Sequence, residues 1–348
     1  MTAPRRIVVI QTAFIGDVVL ALPMVQRISA VFPGVHLTFV AIPAAADLLK
    51  NHPSVTEILP YDKRGEDRGI RGGLTLAARL RAGSYDVALV PHRSLRSAFI
   101  AWWGRIPRRI GFSTSSGRFL LTDIVRYDPA AHETRRNTDL LFPLGISVDV
   151  PEPPRLFPGG EEQRSVDSLL EEIRLAGAPL YSHKLVALAP GSVWATKRWP
   201  AASYTTLARL IERDGGSVVC VGGESDRELC ASILTDAGVH PSRQFAGRLT
   251  LLESAELIRR CRVIVSNDSA PAHLASAVGT PVVAIFGATV PRFGFGPRGP
   301  GDIVVETEGL FCRPCGIHGG NSCPIKTFEC MERILPERVF REVVLRVG

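Results

Sequence analysis

The chain has 348 residues, of which 45% are hydrophobic and 22% charged; that balance belongs to a globular enzyme and excludes disordered and fibrous classes. The length exceeds one ordinary core and suits two domains of about 150 residues each. A formal net charge of +7 calls for an anionic partner or reflects no more than a basic face, and charge alone does not choose.

No stretch reaches the roughly 18 apolar residues a membrane span needs. Arg5-Arg6 followed by Ile7-Val8-Val9-Ile10 has the outline of a signal peptide. Gln11 and Asp17 interrupt the run, and no small-residue cleavage site follows. It reads as the buried first strand of a cytoplasmic protein.

Short β-branched runs alternate with helical stretches through the first half. After the strand at 7–10 come a helix over 18–31, a strand over 36–41 and a helix over 44–51. A strand over 55–59, a helix over 74–81 and a strand over 87–91 follow. Such alternation implies βαβ units and a parallel sheet covered on both faces. The segment 148–160, with Pro151, Pro153, Pro154, Pro158, Gly159 and Gly160, is the linker candidate. The pattern then restarts. Helices are expected over 161–176, 201–214, 251–259 and 270–278, with strands over 185–189, 217–221, 263–266 and 282–286. A final helix over 336–347 could pack back on either half. The division expected is 1–158, 159–335 and a C-terminal helix in 336–348 that could pack back on the N-terminal domain.

Ligands of open α/β sheets sit outside the carboxyl ends of the strands, so the loops at those ends carry the interest. Asp17 follows the first strand, where it could serve as a helix N-cap, as a carboxylate aimed at substrate, or as both. Pro190 to Pro200, containing Thr196 and Lys197, joins a strand to a helix start, a ready anion site; it lacks Walker spacing. Ser266-Asn267-Asp268-Ser269-Ala270-Pro271-Ala272-His273, Phe286-Gly287-Ala288-Thr289 and Gly222-Gly223-Glu224 repeat the theme. Four small polar loops on one sheet edge make the pattern of a nucleotide site, with Glu224 a candidate for ribose hydroxyls. In the first half, His92-Arg93-Ser94-Leu95-Arg96-Ser97 suits forked recognition of carboxylate or phosphate, or is a solvated basic helix start. Arg105, Arg108 and Arg109 add positive charge nearby. There is no Asp-x-Asp, the paired carboxylates by which a divalent metal usually holds a nucleotide diphosphate.

Of seven cysteines, Cys220, Cys230 and Cys261 look like small core residues. Cys312, Cys315, Cys323 and Cys330 cluster near the end. A four-thiolate zinc site needs two close pairs, and only Cys312-x-x-Cys315 is close. A cluster of structural thiols is the default, a metal site the alternative.

Taken together these residues resemble the ADP-heptose–lipopolysaccharide heptosyltransferases, glycosyltransferase family nine, over nearly the whole chain. The resemblance rests on Gly16-Asp17-Val18-Val19 with Leu22-Pro23, Arg93 to Ser97, and Arg109-Ile110-Gly111-Phe112. It extends through Pro190-Gly191, Lys197-Arg198-Trp199-Pro200, Ser266 to Ser269 with His273, Gly279-Thr280-Pro281, Phe286 to Thr289, and Cys323-Pro324 before Cys330-Met331. The Arg-Ser region and the cysteine-rich end look most like the heptosyltransferase II branch.

The resemblance implies a GT-B fold, two Rossmann-like domains facing each other across a cleft. The N-terminal one would bind the acceptor and the C-terminal one the nucleotide sugar. It implies an inverting transfer of heptose from ADP-heptose to the lipopolysaccharide inner core, heptose II onto heptose I, without metal or cofactor. Asp17 would be the general base. Lys197 and Thr196 would hold the donor diphosphate, Asp268, Ser269, Ala270 and His273 the donor sugar and phosphates, and Glu224 the ribose. Arg93, Ser94 and Arg96 would meet the acidic acceptor. Where many members carry Gly, this chain has Ala270, then Pro271, which would reshape the donor pocket. A membrane-borne anionic acceptor also gives the positive charge a use, at the cytoplasmic face of the inner membrane. The competing readings are a transferase or epimerase using another nucleotide sugar, and a non-catalytic nucleotide-binding module. Nucleic acid is not expected, since no recognisable motif or basic–aromatic repeat occurs.

Overall fold

The structure, a computed structural model, describes residues 3–178, 180 and 184–347. The chain divides into two units, Met1–Phe157 and Pro158–Gly348. Each is built on one all-parallel sheet.

In unit 1 the elements run β1 (Arg6–Ile10), α1 (Ile15–Val31), β2 (His36–Ala41), α2 (Pro43–Ala46), β3 (Glu57–Pro60), α3 (Gly69–Ala82) and β4 (Val87–Val90). They continue with α4 (Leu95–Trp103), β5 (Arg108–Phe112), β6 (Asp123–Val125) and α5 (Glu133–Asp139). The strand order is β3-β2-β1-β4-β5-β6. The chain therefore leaves β1 towards β2 and returns to its other side at β4. Ile7, Val8, Val9 and Ile10 are fully buried, because a central strand of a parallel sheet has helices over both faces.

Unit 2 holds α6 (Gly160–Leu175), β7 (Leu185–Ala189), α7 (Ala201–Arg213), β8 (Ser217–Cys220), α8 (Arg227–Ala237) and α9 (Leu251–Arg260). Then come β9 (Val263–Asn267), α10 (Ala270–Val278), β10 (Val282–Phe286), β11 (Ile303–Glu306), α11 (Glu329–Glu332) and α12 (Pro336–Val347). The order β11-β10-β9-β7-β8 places the reversal between β7 and β9. The final helix does not pack back on the N-terminal domain, the placement the sequence reading offers, but joins unit 2. Val339 and Val343, one turn apart, are buried in the same core as Trp199, Leu207 and Val265, and the Trp199 indole N–H donates to the Ile334 carbonyl at 3.1 Å.

Several elements differ from expectation. α1 begins at Ile15, so Asp17 is not its N-cap; the extended residue before the helix is Phe14. The expected helix over 44–51 breaks into one α turn and a 3-10 turn at Asp47–Leu49. α4, β5, β6, α5, α8 and β11 stand outside the elements expected from the sequence. Arg108 and Arg109 lie on β5 and are tied up structurally: Arg108 pairs with Asp123 at 3.0 Å, and Arg109 donates to the Leu120 and Ile106 carbonyls. No helix among the described residues is long and apolar enough to cross a membrane.

Candidate active site

In open doubly wound sheets the binding crevice lies where the strand order reverses. In unit 1 that is the carboxyl end of β1 and β4, which delivers Thr12 to Asp17 from one strand and His92 to Arg96 from the other. Asp17 sits in the first turn of α1, where its carboxylate accepts the Phe14 N–H at 3.1 Å. Burial lifts its pKa to about 6, with the neighbouring Glu133 carboxylate pushing the same way; the Phe14 and Asp17 N–H groups and the Arg93 guanidinium oppose both. A carboxylate so placed is ionised at neutral pH yet holds a proton far better than a free one, as a general base requires.

α5 supplies that carboxylate neighbour. Glu133 is buried and paired with Arg136 at 2.8 Å. Asn137 on the same helix donates to the Leu20 carbonyl of α1 at 3.1 Å, fastening the two helices together. Arg136 and Arg93 both lie over the Tyr127 ring, at 4.8 and 4.4 Å from its centroid. Sequence reasoning passed over α5. The signal available was His132, Glu133, Arg136 and Asn137 at helical spacing in a stretch with few apolar residues.

Beside Asp17 lies an open pocket of about 430 Å³ lined by Thr12, Lys63, Arg64, His92, Ser94 and Arg96. Lys63 donates to the Thr12 carbonyl. His92 Nδ1 lies 3.0 Å from the Thr12 hydroxyl and 3.1 Å from that of Ser97. Burial, then Lys63, Arg93 and Arg96, lowers its pKa to about 4, so the imidazole is neutral at pH 7. Ser94 caps α4, accepting the Ser97 N–H at 3.2 Å. The pocket is thus cationic, with hydroxyl and imidazole donors, and Lys63 and Arg64 join the residues expected there.

Unit 2 repeats the design between β7 and β9. Lys197, in a 3-10 turn at Ala195–Lys197, forms an ion pair with Asp268 at 2.6 Å. Thr289, from the loop after β10, donates to Asp268 at 2.7 Å. His273 is buried alongside, its pKa lowered to about 4 chiefly by burial and further by Lys197, with Asp268 opposing. Asn267 holds the 190–199 loop in place. Its carbonyl oxygen accepts the Trp199 N–H at 3.1 Å and the Tyr204 hydroxyl at 3.2 Å, and its amide donates to the Pro190 carbonyl at 2.8 Å. It thereby positions Lys197.

Thr196 is locked to the cysteine-rich segment. Its hydroxyl accepts the Gly320 N–H at 2.8 Å, and its own N–H donates to the Gly320 carbonyl at 3.0 Å. Gly319 has φ +81°, and a Cβ there would come within 2.9 Å of the Thr196 hydroxyl, so only glycine fits. Arg313 and Cys315 reach the carbonyls of Thr289 and Ala288, fastening that segment to the loop after β10.

Ser269 is the N-cap residue of α10, Ala270 its first residue and Pro271 its second. Proline is accommodated in a first turn but removes one of the N–H groups a helix start offers an anion. Glu224 lies at the end of β8, largely exposed and paired with Arg227 at 2.7 Å. Thus Thr196, Lys197, Asp268 and His273 gather tightly, with Ser269 and Ala270 beside them, whereas Glu224 stands on another strand end within an ion pair of its own.

Among the cysteines, Cys220, Cys230 and Cys261 are buried. Burial raises Cys330 to about 11, with Cys315, Cys323 and Cys312 contributing, so the four late thiols lie near one another. Among the described residues no group of three or more His, Cys, Asp or Glu is arranged to hold a metal ion.

Two doubly wound parallel sheets, each with its polar residues at the strand reversal, define the GT-B class of glycosyltransferases. The sequence profile of glycosyltransferase family 9 (heptosyltransferase) matches residues 74–316. Lipopolysaccharide heptosyltransferase 2 of Salmonella typhimurium is 29% identical over 298 residues, 83% of this chain and 84% of that protein. The solved structure of Escherichia coli ADP-heptose lps heptosyltransferase II superposes with a TM-score of 0.78 at 26% identity, covering 98% of each chain. A glycosyl transferase family 9 crystal structure from Veillonella parvula gives a TM-score of 0.87 at 24% identity, covering 99% of this chain and 97% of that one, and speaks for the fold. The chain belongs to glycosyltransferase family 9, the heptosyltransferases.

Proposed function

We propose that this enzyme moves a heptose from ADP-heptose to the inner core of lipopolysaccharide, heptose II onto heptose I, with inversion at the sugar carbon. The observation that carries the reading is Asp17, a carboxylate of raised pKa at the strand reversal of unit 1, beside a cationic pocket. Family membership supplies the class of reaction.

In this mechanism Arg93, Ser94 and Arg96, helped by Lys63 and Arg64, hold the acidic acceptor. Asp17 takes the proton from the acceptor hydroxyl as its oxygen bonds to the anomeric carbon. The bond from that carbon to the diphosphate breaks, and ADP leaves with the electron pair. Lys197, the Thr196 hydroxyl and the N–H groups near Ser269 and Ala270 meet the growing charge. Asp268 and His273 orient the sugar, and Glu224 accepts from the ribose. Unit 1 would be the acceptor domain and unit 2 the donor domain, working at the cytoplasmic face of the inner membrane.

Calorimetric titration with ADP-heptose and with UDP- and GDP-sugars tests the donor. ADP-heptose is expected to bind tightest, and equal or better binding of a UDP- or GDP-sugar overturns the assignment. Asp17→Ala should abolish turnover by a factor of about 10²–10⁴ while donor binding survives; unchanged turnover would remove Asp17 as base.

A further inference from the structure

α4 has two apolar sides. One, with Ala98, Ile100 and Ala101, is buried in unit 1. The other carries Leu95, Phe99, Trp102 and Trp103, spaced i, i+4, i+7 and i+8, a single stripe along the helix. That stripe faces outwards: Leu95 and Trp103 are each 48% exposed and Trp102 43%. The three rings form one cluster, with Phe99 5.9 and 5.8 Å from Trp102 and Trp103, which are 5.9 Å apart. Phe119, 74% exposed, extends it from the 3-10 turn at Arg118–Leu120. Gly117 sets that turn against the helix so closely that a Cβ would meet the Ala98 methyl at 2.6 Å.

The charge around the stripe has one sign. Residues 93–122 contain six arginines and no acidic residue. With Arg108 and Arg109 bonded within the fold, Arg93, Arg96, Arg105 and Arg118 are exposed. Arg105 and Arg118 have no acidic partner among the described residues. Tryptophan favours the boundary between lipid tails and headgroups, and arginines beside it attract acidic headgroups.

We propose that the outward face of α4, with Phe119, Arg105 and Arg118, docks this enzyme on an anionic lipid bilayer. The inference rests on the acceptor reading above, which it deepens. The same helix begins at Ser94 and Arg96 in the acceptor pocket and is nine residues long, about 13 Å. An acceptor sugar in that pocket, still joined to its lipid, has its membrane within one helix length. The stripe enters the headgroup layer and the arginines hold phosphates.

The test is co-sedimentation of the full chain with phosphatidylethanolamine–phosphatidylglycerol vesicles at low salt, with neither donor nor acceptor present. Failure of the heptose reading is therefore scored separately, by donor titration. Wild-type protein is expected to bind, and Trp102→Ser/Trp103→Ser to lose at least about tenfold in partition with an unchanged melting temperature. Arg105→Gln and Arg118→Gln should each cost about fivefold, less in high salt. Brominated lipid should quench wild-type fluorescence and leave Trp102→Phe/Trp103→Phe unquenched. On a deacylated acceptor the Trp102→Ser/Trp103→Ser variant should turn over like wild type. Wild-type protein left in the supernatant, or that variant binding vesicles normally, overturns the proposal. So does a dimer that the same substitutions dissolve without affecting vesicle binding, since a second copy would then be the occupant.

Discussion

Replacing Asp17 by Asn should stabilise the free enzyme while destroying its activity. The carboxyl pKa rises from 3.8 to about 6 in the fold. Each unit is worth about 1.36 kcal/mol, so full ionisation costs the folded state roughly 3 kcal/mol. Part of the Asp17 surface remains in water, which reduces the figure to about 1–2 kcal/mol. An asparagine oxygen can still accept the Phe14 N–H, so the helix start survives. Between pH 3.8 and about 6 the folded protein holds a proton that the unfolded chain has released, so wild-type stability falls as pH rises through that window. Asn does not titrate. Its advantage is therefore absent below about pH 4 and complete above about pH 6.

Calorimetry at pH 4 and pH 7.5 should show equal melting at the lower pH and a gain of roughly 3–6 °C at the higher, in the transition of unit 1. A loss of stability at pH 7.5, or the same gain at both pH values, refutes the reasoning. The kinetic counterpart is an acidic limb in kcat/KM near pH 6, with wild-type rate at pH 5 about tenfold below its plateau. A limb near pH 4, as for an ordinary carboxylate, would contradict it.

Glu133→Gln removes the second cause of the raised pKa, so the acidic limb should move to lower pH; a limb that stays put or moves up would show that Glu133 does not act on the base. Lys197→Ala strips the cation from buried Asp268 and should cost about 3 kcal/mol in urea unfolding as well as donor affinity. Adding Asp268→Asn should restore much of the stability and none of the turnover, and stability that does not recover counts against the pairing. Asn267→Ala leaves the Trp199 N–H and Pro190 carbonyl without their partner, a loss of about 2–4 kcal/mol by urea titration with weaker donor binding; wild-type donor affinity in that variant would mean the 190–199 loop holds itself.

Much of this was legible in the sequence because parallel strands buried on both faces leave unbroken apolar runs. Ile7–Ile10, Val87–Val90, Leu185–Ala189 and Val282–Phe286 were visible for that reason. Where burial is one-sided or bought by polar contacts, the pattern fades. β5 opens on Arg108 and Arg109, which satisfy themselves on Asp123 and nearby carbonyls. α5 presents Glu133, Thr134, Arg136, Asn137 and Thr138 to the interior, and no hydrophobic period can report such a helix. The start of α1 was misplaced because a carboxylate at the third helical position, reaching back to the Phe14 N–H, resembles a cap in sequence.

The residue types and spacings by themselves determined that two parallel sheets would form, that polar loops would crowd their carboxyl edges, and that Asp17, Lys197 and Asp268 belonged among the candidates. Those choices follow from local periodicity and from the few residue types able to carry charge. Only the tertiary structure decided the strand orders, which make β1 and β4, and β7 and β9, neighbours though 80 residues separate Ile7 from its register partner Val87 and 77 separate Val186 from Val263. It decided too that Asp17 shares its burial with Glu133 and that Lys197 meets Asp268 at 2.6 Å. Chain-distant groups come together through packing, and packing energy is a property of many residues at once.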